Sequence, residues 1–185
     1  LSDRDWRSNP TILTGDVNGD DDSNLTYTTT TRAENNYNVV RILGSDNVII
    51  DGFTITGGHA NVSSGPQTQN RGGAIFKNSV ALNFTLENCI ITNNVSHRES
   101  NVHLNTFNGQ TSTIKIQNNI FKYNLSRYAS ALEILGLQQS NIIANIYGNL
   151  FYENRAEDIG SGASLSASSI AVFSNSATIT TNLIN

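Results

Sequence analysis

The chain has 185 residues, of which 37% are hydrophobic and 14% charged, with a formal net charge of −4. That length suits one domain with a substantial core, the acidic balance argues against an electrostatic nucleic-acid partner, and no apolar run approaches the roughly 20 residues of a transmembrane helix. The single cysteine, Cys89, excludes an internal disulfide, and Asn, Ser, Thr and Gly carry the polarity, unlike the charged, proline-rich pattern of disordered chains.

In chain order, residues 1–6 are polar and lack the apolar stretch of a signal peptide. Residues 1–37 are expected to form a partial N-terminal coil, with a strand near residues 11–14 and then a long acidic loop. In that loop Asp16, Asn18, Asp20 and Asp22 alternate around Gly19. Four side-chain oxygens at such spacing can converge on one hard cation, and calcium is the cofactor they suggest. The pattern is similar to the start of an EF-hand loop but departs from it. Its glycine stands fourth, and Tyr27 occupies the place of the distal glutamate. A plain solvated acidic loop is the alternative.

From residue 38 a repeat takes over. Residues 50–55, 86–91, 116–121, 146–151 and 179–184 share one pattern, with starts spaced by 36, 30, 30 and 33 residues. Upstream in each copy, residues 74–76, 101–103, 131–133 and 164–166 occupy equivalent places. Each coil is therefore expected to hold three short strands, exemplified by residues 131–135, 142–146 and 150–153. Phe84/Leu86, Ile114/Ile116 and Ala144/Ile146 point one way and Thr85/Glu87 and Lys115/Gln117 the other, a period of two that means β-structure. A β-sandwich also alternates, but nothing in it demands that side-chain columns recur from copy to copy. The expected fold is all-β, a right-handed parallel β-helix of about four to five coils, spanning residues 38–185 and cut off at Asn185 as a segment of a longer protein.

Two asparagine columns support the coil. Cys89, Asn119, Asn149 and Asn182 share one, beside Gly52, Asn88, Asn118 and Gly148. Gly58, Asn94, Asn124 and Asn154 share the other. Gly and Asn tolerate the left-handed backbone that tight corners require, and stacked amides can hydrogen-bond along the axis. Cys89 is expected to be buried and inert.

Gly72-Gly73-Ala74-Ile75, Phe121-Lys122-Tyr123-Asn124 and Phe151-Tyr152-Glu153-Asn154 stand in register, with Ile91-Thr92-Asn93-Asn94 as an aliphatic variant. With these motifs the chain resembles the pectin-lyase-like superfamily of right-handed parallel β-helices, and within it the polymorphic outer-membrane-protein type of repeat. The stretches at residues 9–16 and 51–58 are similar to large secreted β-helix proteins of bacteria, notably Bacteroidetes. The resemblance implies a secreted or cell-surface setting and partners such as polysaccharides or host-matrix surfaces. It specifies no reaction, since such proteins include adhesin-like passengers, structural spikes and polysaccharide-degrading enzymes.

The enzymatic members imply clustered aspartates or a calcium cluster. Here Asp21-Asp22 is an Asp-Asp pair but sits in the N-terminal loop before the first full coil, and the outward column Asp51, Glu87, Gln117, Tyr147 and Thr180 carries two carboxylates only. No catalytic residue is assigned. The remaining candidate is the solvent face of the first strand and its preceding loop. His103 and Glu133 are equivalent residues one coil apart and are expected as outward-facing neighbours. Arg98, Arg127, Tyr128 and Arg155 come from successive loops around them. A base, an acid, cations and an aromatic on one groove suit glycan binding, and a His–Glu pair can support proton transfer. A solvated stack of charged side chains is the alternative. The leading expectation is an adhesin-like or structural stalk segment that binds glycans along its face. The other is a polysaccharide lyase or glycoside hydrolase whose site further coils complete.

Overall fold

The computed structural model describes residues 5–44, 47–78, 83–157 and 168–184. Along the strand Thr111–Gln117, Ser112, Ile114 and Ile116 are buried while Thr111 and Thr113 are exposed. An apolar face of this kind needs a partner, and here it is the inside of a coil. One coil runs through Val102–Thr106, Thr111–Gln117, Ile120–Lys122 and Leu125–Ser126. The next coil repeats it at Ala129–Leu137, Asn141–Tyr147, Leu150–Tyr152 and Arg155–Ala156. Strands of successive coils pair in parallel and build four sheets, three of five strands and one of four. The fold is a parallel β-helix. The fourth sheet, made of two-residue strands such as Val95–Ser96 and Leu125–Ser126, adds a side to the three-strand coil expected from the repeat. Among the described residues no helix is long and apolar enough to cross a membrane.

The columns hold in register through the fourth copy: Ile50 pairs with Leu86, Leu86 with Ile116, and Ile116 with Ile146. These side chains join Ile55, Ile91 and Phe121 in the core. Phe121 and Phe151 stack with centroids 4.5 Å apart and planes 5° from parallel.

The last copy corrects the expected spacing. Ile142 pairs with Ile179 and Ile146 with Leu183, so Asn182 lies opposite Asn145 and outside the column of Asn149. Its amide donates to Asn145 Oδ1 at 2.8 Å. In the outward column Ile184, and not Thr180, follows Tyr147. Likewise Leu132 pairs with Ile170, whereas the expected equivalents at 164–166 lie outside the described residues. Isoleucine, leucine and threonine recur so densely here that two alignments satisfy the same alternation, and backbone pairing selects one.

The corners carry the predicted backbone. Gly52, Asn88, Asn118 and Gly148 have φ of 77°, 54°, 56° and 64°. A second left-handed column precedes the other asparagine ladder at Gly57, Asn93, Tyr123 and Glu153, with φ of 75°, 54°, 53° and 52°. Behind each corner sits a ladder residue. Asn119 Nδ2 donates to Leu86 O and to Asn149 Oδ1, both at 2.9 Å, and its Oδ1 accepts from Cys89 N at 2.9 Å. Asn94, Asn124 and Asn154 form the parallel ladder. Cys89 does the asparagine's work with a thiol: its Sγ accepts from Phe53 N at 3.4 Å and donates toward Glu87 O at 3.1 Å.

Candidate functional site

His103 and Glu133 are neighbours in register on the outward side of the first sheet, as expected, but they do not face solvent. His103 is 0% exposed and Glu133 3%. The reason lies in the column itself, which runs Phe76, His103, Glu133, Ala171. Phe76 stacks on the imidazole with centroids 5.5 Å apart, and on the other side His103 Nδ1 meets Glu133 Oε2 at 2.6 Å. Imidazole Nε2 is buried without a hydrogen bond. Nearby, Arg71 pairs with Glu99, whose carboxyl burial pushes up, Arg71 draws down and the charge of Glu133 raises again. So few exposed atoms leave the His103–Glu133 pair little reach to a polymer in solution, and the two side chains pack between coils.

The other expected groove residues divide into two places. Tyr128 N donates to Arg98 O at 3.1 Å, and the Arg127 guanidinium lies 5.1 Å from the Tyr128 ring centre. These three stay together where the loops of two successive coils leave the fourth sheet. Arg155 goes elsewhere. Its Nη2 donates to Leu25 O at 2.7 Å and its Nε lies 3.1 Å from Glu157.

Leu25 belongs to an arm, residues 15–36, that lies along the fourth sheet. Tyr27 packs against Val95 and Leu125, and its ring meets His97 edge-on at 5.4 Å. Buried Arg32 donates from Nη1 to Asn93 O at 3.0 Å and pairs with Asp21 at 3.3 Å. His59 Nδ1 lies 2.7 Å from Arg32 O. Through Arg32, Asp21 of the acidic stretch is tied to the solenoid.

Of its four expected metal ligands, Asp16 and Asp20 come together with a residue the spacing did not single out. Asp16, Asp20 and Glu34 each bring a carboxylate oxygen within 4.8 Å of the others. Such an all-oxygen set is the chemistry that hard cations such as calcium take. Asp16 Oδ1 also accepts from Gly19 N at 2.7 Å. Asp22 turns away to cap Asn24 N at 2.8 Å, and Asn18 is exposed. Glu34 was missed because its approach depends on the arm folding back, which no local spacing encodes.

Between arm and solenoid lies a cleft of about 700 Å³, lined by Ser23, Asn24, Leu25, Asn93, Tyr123, Asn124, Glu153 and Arg155. Tyr123 and Glu153 were read in sequence only as the variable residues of Phe-x-x-Asn. The signal that marks them is positional: they stand in the left-handed column where the coils before carry Gly57 and Asn93.

Lys77 was missed as well. It pairs in register with Ile42 and Leu104, two core residues, and is 0% exposed. Its Nζ donates to Asn105 O at 3.0 Å, and burial pulls its ammonium down to about 8. Alternation from Ile75 through Phe76 to Lys77 would have placed it inside.

Neither family models, curated proteins nor solved structures give a match to this chain.

Proposed function

We propose that this chain is a rigid segment of a secreted or cell-surface bacterial protein with an adhesin-like or structural stalk role, of the pectin-lyase-like β-helix type. The observation that carries this reading is the parallel coil-on-coil stacking of its four sheets, locked at the corners by asparagine ladders. In such a solenoid each coil contacts only its neighbours, so length grows by adding coils while stiffness is kept. Val172 and Leu183, in register with the core residues Ile134 and Ile146, are 37% and 68% exposed, which suits the packing of further coils of the same chain on this face. The burial of His103 and Glu133 favours a binding or spacing role over acid–base chemistry at that pair. The test is to screen the purified chain against glycans and matrix proteins and, in parallel, against neutral and acidic polysaccharides for turnover. Retention by a surface ligand without turnover supports the reading. Robust depolymerisation of any polysaccharide overturns it.

A further inference from the structure

We infer that the cleft between the arm and the solenoid is a subsite for a neutral sugar unit. The inference takes its setting from the surface-protein reading, but the stalk role does not depend on it.

The first observation is backbone conformation. Positive φ is a genuine outlier for a bulky residue, and residues held there cluster at ligand sites. The column that opens with Gly57 and Asn93 continues with Tyr123 and Glu153, at φ of 53° and 52°. Asparagine would satisfy the corner with less strain, so corner geometry does not explain these two side chains. Both line the cleft.

The second is the ligand chemistry of the lining. Tyr123 keeps 43% of its surface exposed, while Lys122 and the edge of Tyr152 brace its ring at 5.7 Å each. An aromatic face held in place in a cleft offers a stacking platform for a flat C–H face. Around it, Ser23, Asn24 and Asn93 supply hydroxyl and amide groups that both donate and accept. Glu153 adds a carboxylate acceptor. A sugar ring has the matching pattern, an apolar C–H face rimmed by hydroxyls.

The third is charge. The Arg155 guanidinium is committed to Leu25 O and Glu157. What remains at the lining is the Glu153 carboxylate, which repels uronates and other anionic sugars. An organic amine, attracted by that carboxylate and the ring, is the competing occupant.

The test uses the full 185-residue chain. Calorimetric titration and saturation-transfer NMR are run with tetrasaccharides of glucose, galactose, mannose and N-acetylglucosamine, with tetragalacturonate as the anionic arm and choline as the cationic arm. At least one neutral tetrasaccharide should bind saturably, with contacts to the tyrosine ring. Tyr123→Asn should weaken that binding about tenfold or more without lowering the melting temperature, because it restores the residue type of the preceding coil. Glu153→Asn, made independently, should weaken the same ligand and so guards against a folding defect in the first variant. No saturable neutral binding up to about 10 mM, binding indifferent to both variants, or preference for tetragalacturonate or choline overturns the inference. The stalk reading survives each of those outcomes and falls only to polysaccharide turnover.

Discussion

Replacing Lys77 with methionine should stabilise the protein at neutral pH, and by an amount that disappears as the solution becomes basic. The lysine points into the core between Ile42 and Leu104, and its ammonium donates to Asn105 O at 3.0 Å. Burial lowers its pKa from 10.5 to about 8, because a charge in that interior loses its hydration. The folded-state pKa lies below the unfolded one, so the cost of burying the charge is present in full below pH 8. It is relieved as pH rises toward the unfolded value, since over that window the unfolded chain binds a proton the folded chain has shed. A shift of this size corresponds to roughly 3 kcal/mol. Methionine matches the unbranched shape and removes the charge. Urea unfolding of wild type and Lys77→Met from pH 7 to pH 10.5 reads the difference, and tyrosines titrating in the same range cancel between the two proteins. The variant should be more stable at pH 7 by up to roughly 3 kcal/mol, with the gap closing toward pH 10.5. Parallel pH profiles, or a variant less stable at pH 7, would refute the inward placement of Lys77.

Other consequences follow from the ladders and the stack. Phe121→Ala should cost about 3–5 kcal/mol, since Phe121 is fully buried against Phe151. Lys115→Ala, at a partly exposed side chain 3.7 Å from Glu87, should stay within about 0.5 kcal/mol; chemical denaturation of both compares them directly. Asn124→Ala should lower stability by several kcal/mol, because Ile91 O and Lys122 O lose donors at 2.8 and 3.0 Å and each buried group left unpaired costs about 1–3 kcal/mol. Cys89→Asn completes the ladder below Asn119 and should match or exceed wild-type melting temperature; a marked loss would show that the thiol position is too small for an amide. His103→Phe should destabilise more than the double change His103→Phe with Glu133→Gln, because the single variant leaves a buried carboxylate unpaired, and thermal melts of the two separate these outcomes.

Much of the architecture was legible before any coordinates. Recurring Ile50, Leu86, Ile116 and Ile146 announced stacked coils because a parallel ladder places equivalent residues about 4.8 Å apart, and the Gly and Asn of the corners announced left-handed backbone. That His103 and Glu133 touch was legible for the same reason. Their burial was not, because a strand's outward side reads the same whether neighbours cover it or water does. The slip in the last copy has a related cause: Ile179 and Leu183 both satisfy the alternation, and only the pairing of Ile146 with Leu183 separates them.

The sequence by itself determined that this chain is a β-solenoid, where the corner at Gly52, Asn88, Asn118 and Gly148 turns, and which side chains stack through the fourth copy, since these follow from short-range alternation and a recurring repeat. Tertiary structure decided everything that depends on the arm. Tyr27 finding Val95 and Leu125, Glu34 joining Asp16 and Asp20, and Leu25 meeting Arg155 across 130 residues are contacts between a segment outside the repeat and coils far along it. No periodicity links such partners. They meet because the helix brings successive coils to one face, where a single arm can lie across them all.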